Sequence, residues 1–544
     1  MSENNSKNKS FLGGTVILGI AGLVIKFMGA AFRIPLGNII GAEGMGYYQK
    51  AYPIYNLFLT LAIAGIPTAI ARMVAERNAV GRPRDSYKVF RASFYLLLGT
   101  GIVTSSLLFF ASDWITSSYL NTPNAVYSMK AIAPALLFCP LMAAYRGFFQ
   151  GRQNMKPTAA SQMIEQFARV ATGLGLAVML YPRSVAYAAA GASFGATAGG
   201  IAGFIGIALI YLRHKKEIFS EFDSSLISEG QSTKDILKEI FIIAVPITIG
   251  SAVLPIMNAI DMMVVEKRLI AIGYDAVTAN SLYGELTGFA QPLINFPQVL
   301  TQAVSISMVP LVASAYMRGE KEYMQDSIKL GLRYTLIIAI PCAIGMSVLS
   351  KPILMLLYPA QRQSAINAAP CLSILAISVI FLGLTHALTG MLQGVGKQII
   401  PVRNLAIGAV CKVCVTFVLT GIPSLNVKGA ACGTLTAYAV AAILDFFSML
   451  KYTGTKPDYR LTVGKPLVSA AVMAVVVKLV YVGISGFMGN ALSTLISIMI
   501  GGAVYLIVAL MIGTITADEL EKLPRGRTLA GIVRKINIGS DHKM

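Results

Sequence analysis

Apolar runs long enough to cross a bilayer recur about fourteen times along this chain, and no other feature of the sequence constrains its fold so strongly. A helix needs about 20 apolar residues to span the hydrocarbon core. Windows of that kind lie at 11–34, 46–72, 89–111, 125–149, 157–181, 184–212, 237–265, 281–313, 327–349, 366–393, 399–421, 427–450, 462–484 and 490–514. The sequence predicts an all-α polytopic membrane protein. Composition closes off the alternatives: 55% of the residues are hydrophobic and 13% charged, against about 25% charged in ordinary soluble domains. A soluble fold has no core large enough to bury so much apolar surface, and a disordered chain would not carry it.

The 45 Lys and Arg outnumber the 25 Asp and Glu, for a net charge of +20. With the N-terminus placed in the cytoplasm and loops assigned alternately, most of the basic residues fall on the cytoplasmic side, as the positive-inside rule requires. Arg77-Arg82-Arg84-Lys88, Arg213-Lys215-Lys216, Lys451-Lys456-Arg460-Lys465 and Arg525-Arg527-Arg534-Lys535 are the heaviest clusters. The excess charge therefore reads as topology and attraction to anionic lipid headgroups, not as a nucleic-acid surface. Both termini are expected in the cytoplasm.

Six cysteines are scattered through apolar runs without a disulfide framework, and the three histidines, at 214, 386 and 542, are too dispersed for a zinc site. There is no phosphate-binding G-x-x-x-x-G-K-[ST] loop and no G-x-S-x-G nucleophile elbow. The chain is expected to be no enzyme and to carry no metal or organic cofactor.

Residues 145–157, YRGFFQGRQNMKP, match 388–401, LTGMLQGVGKQIIP, at Gly147, Gln150, Gly151 and Pro157 against Gly390, Gln393, Gly394 and Pro401. IPTAIARMVAE at 66–76 and ISMVPLVASAY at 306–316 share nearly the same offset. Six helices per repeat return the chain to the same membrane side, so the halves are parallel repeats. The expected organisation is a 1–10 cytoplasmic tail, an N-lobe of six helices at 11–213 and a cytoplasmic linker at 214–236. A six-helix C-lobe at 237–452, two extra helices at 453–514 and a basic cytoplasmic tail at 515–544 follow. Two lobes that rock around a central site are a transporter design.

An ionisable residue inside a span is costly unless it is paired or faces water. Lys26 and Arg33, seven residues apart in the first span, share a face and carry no neighbouring acid, which points to an anion. Lys50 lies near the outer start of the second span. In the fifth, Thr158, Gln162, Glu165, Arg169 and Thr172 form a polar stripe, with Glu165 and Arg169 at i, i+4. That stripe fits either a cavity wall or a neutral helix-locking pair. Gln291, Asn295, Gln298 and Gln302 line one face of the eighth span, which Pro292 and Pro297 interrupt. Broken helices beside polar stripes mark transporter sites, and amides both donate to and accept from sugar hydroxyls. Asp261 and Lys412 are lone in-span charges of opposite sign, placed either to pair or to couple a cation or proton.

RGFFQGRQNMKPTAASQMIEQFARV (146–170) and YGELTGFAQPLINFPQ (283–298) resemble the stage V sporulation protein B and MurJ-like lipid II flippase group. That group is part of the polysaccharide-transporter branch of the multidrug/oligosaccharidyl-lipid/polysaccharide (MOP) exporter superfamily. The resemblance runs from the first span to the tail ADELEKLPRGRTL. It implies a two-lobed, V-shaped bundle of fourteen helices in the bacterial cell membrane, sufficient as a monomer. A cationic cavity would hold the pyrophosphate and sugars of an undecaprenyl-linked precursor, and the last two helices would form a groove for its lipid tail.

By the same resemblance, Lys26 and Arg33 occupy places similar to essential first-helix arginines of the group. Basic residues that the group carries near Leu57–Phe58 and Gln291-Pro292 are absent here, and Lys50 and Arg169 are the replacements at hand. The expected function is flipping of lipid II by alternating access. The membrane potential, Na+ or H+ would drive it. The alternatives are a teichoic or capsular repeat-unit flippase, a cation-coupled multidrug antiporter and a non-transporting envelope scaffold.

Overall fold

A computed structural model describes residues 2–223 and 231–514, without the side chains of 2–20, 23, 26, 30 and 221–223. The proposed basic tail at 515–544 lies outside the described residues. The described chain is nearly all helix and contains no strand. Its helices are α1 (Ser2–Ile63), α2 (Ile66–Ala79), α3 (Pro83–Trp114), α4 (Ala125–Ile132), α5 (Ala135–Gly151), α6 (Lys156–Leu180), α7 (Val185–Asp223) and α8 (Thr233–Ala271). They continue as α9 (Ala276–Gly284), α10 (Gln291–Arg318), α11 (Lys321–Val348), α12 (Ser350–Leu357), α13 (Arg362–Gly394), α14 (Ile399–Thr420), α15 (Lys428–Thr453) and α16 (Lys465–Met511). An all-helical chain is what the bilayer demands, because each helix satisfies its own backbone polar groups.

Twelve runs of the described residues are long and apolar enough to cross a membrane. Two of them, Phe27–Ala79 with 53 residues and Arg460–Met511 with 52, are far longer than one crossing. Each contains a glycine at positive φ, Gly41 at 66° and Gly489 at 70°. The chain doubles back at both. Phe32 and Tyr48 would stand about 24 Å apart on a straight helix, yet their ring centroids are 6.0 Å apart. Gly501 likewise lies against Val477. Only glycine takes this backbone conformation without a steric cost, so the two reversals are written in the sequence at single positions.

Packing divides the chain into two compact units, Met1–Gly288 and Phe289–Met544. The six-plus-six lobes, with their boundary in the 214–236 linker, are a proposal about which helices move together. The packing units are drawn differently because α8 and α9 lie against α1 and α2 in this conformation.

The internal repeat has a physical counterpart in each unit. Gly147 and Gly151 on α5 seat against α2, where a Cβ would come within 2.9 Å of the Pro67 carbonyl and 2.6 Å of the Ala71 carbonyl. Gly390 and Gly394 on α13 seat against α10, where a Cβ would come within 2.5 Å of the Ser305 carbonyl and 2.8 Å of Val312. The two stretches paired by sequence similarity are thus the two sides of one helix contact, made twice. Close approach through glycines spaced by four is how membrane helices gain van der Waals contact without a hydrophobic drive between them.

Candidate functional site

The charged positions of α6 are set by its neighbour. Gly191, Gly195, Gly199 and Gly203 recur every four residues on α7 and all face α6. A Cβ at Gly195 would lie 2.6 Å from the Arg169 carbonyl, and one at Gly199 would lie 2.7 Å from the Glu165 carbonyl. The two backbones therefore touch, and the first side-chain carbons of Arg169 and Glu165 lie at the edge of the same contact, 3.1 Å from a Cβ placed at Gly199 and at Gly203. Arg169 stands about 20 Å along α6 from its start, near the middle of this 25-residue helix.

The stripe meets a second arginine there. Arg146 on α5 donates from Nη2 to Glu165 Oε2 at 3.0 Å and from Nε to Ser161 Oγ at 2.9 Å. Arg169 Nη2 stands 3.9 Å from the other oxygen of Glu165, and its Nε has no hydrogen-bond partner. Side-chain exposures of 16% for Arg146, 13% for Glu165 and 19% for Arg169 leave these heads partly reachable. Tyr48, Tyr52 and Tyr55, at i, i+4 and i+7 on α1, form a ladder with ring centroids 4.9 and 5.9 Å apart. Arg169 lies within electrostatic range of all three. The fold-back at Gly41 brings Arg33 within range of Tyr48 as well.

Two guanidinium groups on one carboxylate, with Arg33 in range of the adjoining Tyr48, leave a cationic cluster lined with tyrosine inside the first unit. Charges inside a span persist where they face protein or a hydrated interior, not lipid. Arginine forks are matched to planar and tetrahedral oxyanions. The cluster can hold a phosphate-type anion, with Glu165 keeping Arg146 in position.

The structure brings together Glu165 and Arg169 from the sequence candidates, adds Arg146, and places Arg33 in range of Tyr48 on the tyrosine ladder. Arg146 was visible as an ionisable residue inside the window 125–149, within a motif first read as a repeat marker. The side chain of Lys26 lies outside the described residues. Lys50 stands two residues from Tyr48, so it points to the other side of the helix. It is fully buried, with Nζ 2.8 Å from Glu266 Oε2. Asp261 lies within electrostatic range of Tyr283 in the same unit.

Gln291, Asn295, Gln298 and Gln302 lie on α10 of the second unit, where Asn295 is exposed and the others are half-buried. A single-turn π segment, Glu285–Ala290, precedes them, a feature that often marks functional sites in helices. Gln298 Nε2 lies 3.5 Å from His386 Nε2 on α13, and Thr301 Oγ1 lies 3.4 Å from His386 Nδ1. Lys412 is on α14, within electrostatic range of Tyr438 on α15. Among the described residues no group of three or more His, Cys, Asp or Glu could hold a metal ion.

Twelve apolar runs, a repeated glycine-mediated helix contact and a cationic interior cluster define a multi-pass membrane protein of the transporter type. The chain belongs to the family described as polysaccharide biosynthesis protein, whose pattern it matches over residues 11–316; residues 246–418 also match the MatE family. It is 27% identical to the lipid II flippase MurJ of Bacillus subtilis (strain 168) over 549 residues, covering 97% of this chain and 99% of that one. It is 26% identical over 529 residues to stage V sporulation protein B of the same organism, covering 95% and 98%. A solved structure of lipid II flippase MurJ in an inward closed conformation superposes with a TM-score of 0.66 and 18% identity, covering 91% of this chain and 98% of that one. The resemblance read from the sequence motifs is borne out along nearly the whole chain.

Proposed function

We propose that this protein is a flippase for an undecaprenyl-pyrophosphate-linked oligosaccharide, with the peptidoglycan precursor lipid II as its cargo. The observation that carries the reading is the pairing of Arg146 and Arg169 on Glu165, with Arg33 in range of the adjoining Tyr48, because it supplies largely buried, forked cations inside apolar helices. The similarity to a lipid II flippase over 97% of the chain supports the choice of cargo. Counting the Gly41 and Gly489 fold-backs as two crossings each turns twelve runs into fourteen helices.

In this reading the N- and C-termini are cytoplasmic and the headgroup enters from the inner leaflet. Arg169, whose Nε lacks a partner, takes a pyrophosphate oxygen, and Arg146 and Arg33 neutralise the remaining charge. Lys26 adds a further cation on the first span. The Gln291, Asn295, Gln298 and Gln302 face hydrates the sugars, and the polyprenyl tail stays in lipid beside α16. Rocking of the lobes then exposes the headgroup outside.

Carrying about two negative charges out of a negative interior releases about 2.3 kcal/mol per charge per 100 mV. The membrane potential can therefore bias the cycle without ATP. Asp261 and Lys412 are the positions for Na+ or H+ coupling, anionic lipids contact the basic cytoplasmic loops, and one copy suffices. A multidrug antiporter for organic cations would want a surplus of acids where this cluster has a surplus of arginines.

The test is a thermal-shift titration of the purified protein with lipid II, undecaprenyl phosphate, a teichoic-acid precursor and a cationic dye. A ligand that binds only the folded state raises the melting temperature as ln(1 + [L]/Kd). Stabilisation by lipid II that disappears in Arg169→Gln supports the reading. Stabilisation by the dye and by none of the lipid-linked ligands overturns it, and stabilisation by the teichoic-acid precursor alone moves the cargo to that class.

A further inference from the structure

The helix α8 is fastened at both ends to the same α1–α2 span. Lys50 and Arg77 are 27 residues apart, and so are their partners Glu266 and Glu239, taken in the reverse order. Antiparallel helices with equal spacing bring both pairs into register, about 40 Å apart along the helix axis. Between them, Thr248 Oγ1 donates to the Ala64 carbonyl. Gly65, at φ 79°, comes so close to α8 that a Cβ would lie 2.5 Å from the Ala244 carbonyl.

The two fastenings are unequal. At the Lys50 end both charges are sealed, at 0% and 1% exposure. Thr122, from the turn before α4, completes the seal: Lys50 Nζ donates to its Oγ1 at 2.6 Å, and that Oγ1 donates to Glu266 Oε1 at 2.9 Å. Gln49 Nε2 also donates to the Thr287 carbonyl at 2.6 Å, and Asn280 Nδ2 donates to the Glu43 carbonyl at 2.9 Å. At the Arg77 end the arginine is 11% exposed and Glu239 is 37% exposed. Arg77 there donates to Glu239 at 2.8 Å and to Gln231 at 2.7 Å.

A buried pair cannot part without leaving both charges dry, whereas a half-exposed pair has water ready to replace each partner. We propose that these two ion pairs are alternating latches on α8: Arg77–Glu239 opens first and often, while the Lys50–Thr122–Glu266 latch holds and opens only when its end is flooded. The inference rests on the alternating-access reading. It assigns Lys50 to the conformational cycle, and it fixes the Arg77 end as the entrance.

The experiment is hydrogen–deuterium exchange of the full chain in nanodiscs, which reads each end without any cargo. In the unmodified protein, amides of 66–79 and 231–239 should exchange at least tenfold faster than those of 42–50 and 276–288. Glu266→Gln should speed exchange at 42–50 and 276–288 at least tenfold. The exchanged pair Lys50→Glu with Glu266→Lys should return it to the original rate. Glu239→Gln should speed exchange at the Arg77 end alone. Equal rates at the two ends of the unmodified protein, or a folded Glu266→Gln that leaves 42–50 and 276–288 unchanged, overturn the proposal. Since exchange needs no substrate, a failure of flipping with normal exchange would count against the cargo and not the latches.

Discussion

Alanine at Gly195 should disturb the cationic cluster from a helix that contributes no charge to it. The added Cβ would lie 2.6 Å from the Arg169 carbonyl and 2.8 Å from Gly173 Cα. Both are backbone atoms, so no side chain can swing aside. Restoring a separation of about 3.4 Å requires α6 to retreat from α7 by about 0.8 Å, and overpacking of this kind costs about 1–3 kcal/mol. Glu165 and Arg169 ride on α6. If that shift falls along the 3.0 Å bond between Arg146 and Glu165, the pair opens to about 3.8 Å, beyond hydrogen-bonding distance.

The control is Gly175→Ala on α6 itself, where nothing lies within 4 Å of the new methyl group and helix propensity favours alanine by about 1 kcal/mol. Thermal denaturation in detergent, with pyrophosphate-lipid binding measured on the same samples, separates the two. Gly195→Ala should melt lower and bind about tenfold more weakly, corresponding to about 1.4 kcal/mol, whereas Gly175→Ala should do neither. If the two variants behave alike, the glycine face does not position the cluster and the argument from close approach is wrong.

Arg146→Gln and Arg169→Gln should each weaken binding of undecaprenyl pyrophosphate about tenfold by microscale thermophoresis, from the loss of one charge-assisted hydrogen bond worth about 1.5–3 kcal/mol. Lys50→Met should destabilise the fold by about 3–5 kcal/mol because it strands Glu266 in a dry site; adding Glu266→Gln should recover most of that in a chemical-denaturation cycle, and strict additivity would refute the pairing. In proteoliposomes an inside-negative potential should accelerate outward flipping, and collapsing it with an ionophore should slow it; indifference to the potential would mean that no net negative charge crosses.

The membrane spans were legible because hydropathy over about 20 residues is a local property, and the windows at 11–34 and 490–514 needed no tertiary information. The two fold-backs were less legible. Gly41 and Gly489 look like any of the 50 glycines until the chain on either side is seen to touch. The Glu165–Arg169 stripe could be read because helical spacing puts both residues on one face. Its partner Arg146 could not be assigned, since only packing shows that α5 and α6 present their charges to the same point. Lys50 shows the limit most clearly: an in-span lysine beside a cavity and one locked to a buried acid have the same local sequence. Glu266, which decides between them, lies in α8 on the far side of the linker.

The repeat carries the argument one residue further. Gln153 and Gly396 both take positive φ, at 59° and 75°, and the helices that follow them begin at Lys156 and Ile399. In that common register Lys412 on α14 stands where Arg169 stands on α6. Each lies within electrostatic range of tyrosine, Arg169 with the Tyr48, Tyr52 and Tyr55 ladder and Lys412 with Tyr438. The position of Glu165 is taken by Gly408, which packs against the Ala437 backbone on α15. A cation thus stands at the same place in both repeats, while the position of the Glu165 carboxylate is a glycine in the second. If Lys412 serves the anionic headgroup as Arg169 does, Lys412→Gln should weaken pyrophosphate-lipid binding about tenfold and leave any Na+ or pH dependence of flipping unchanged. If it serves ion coupling instead, the same variant should keep its affinity and lose that dependence. Measuring both on one preparation decides between the two roles, and a variant that alters neither would show that the repeat preserves the charge for packing alone.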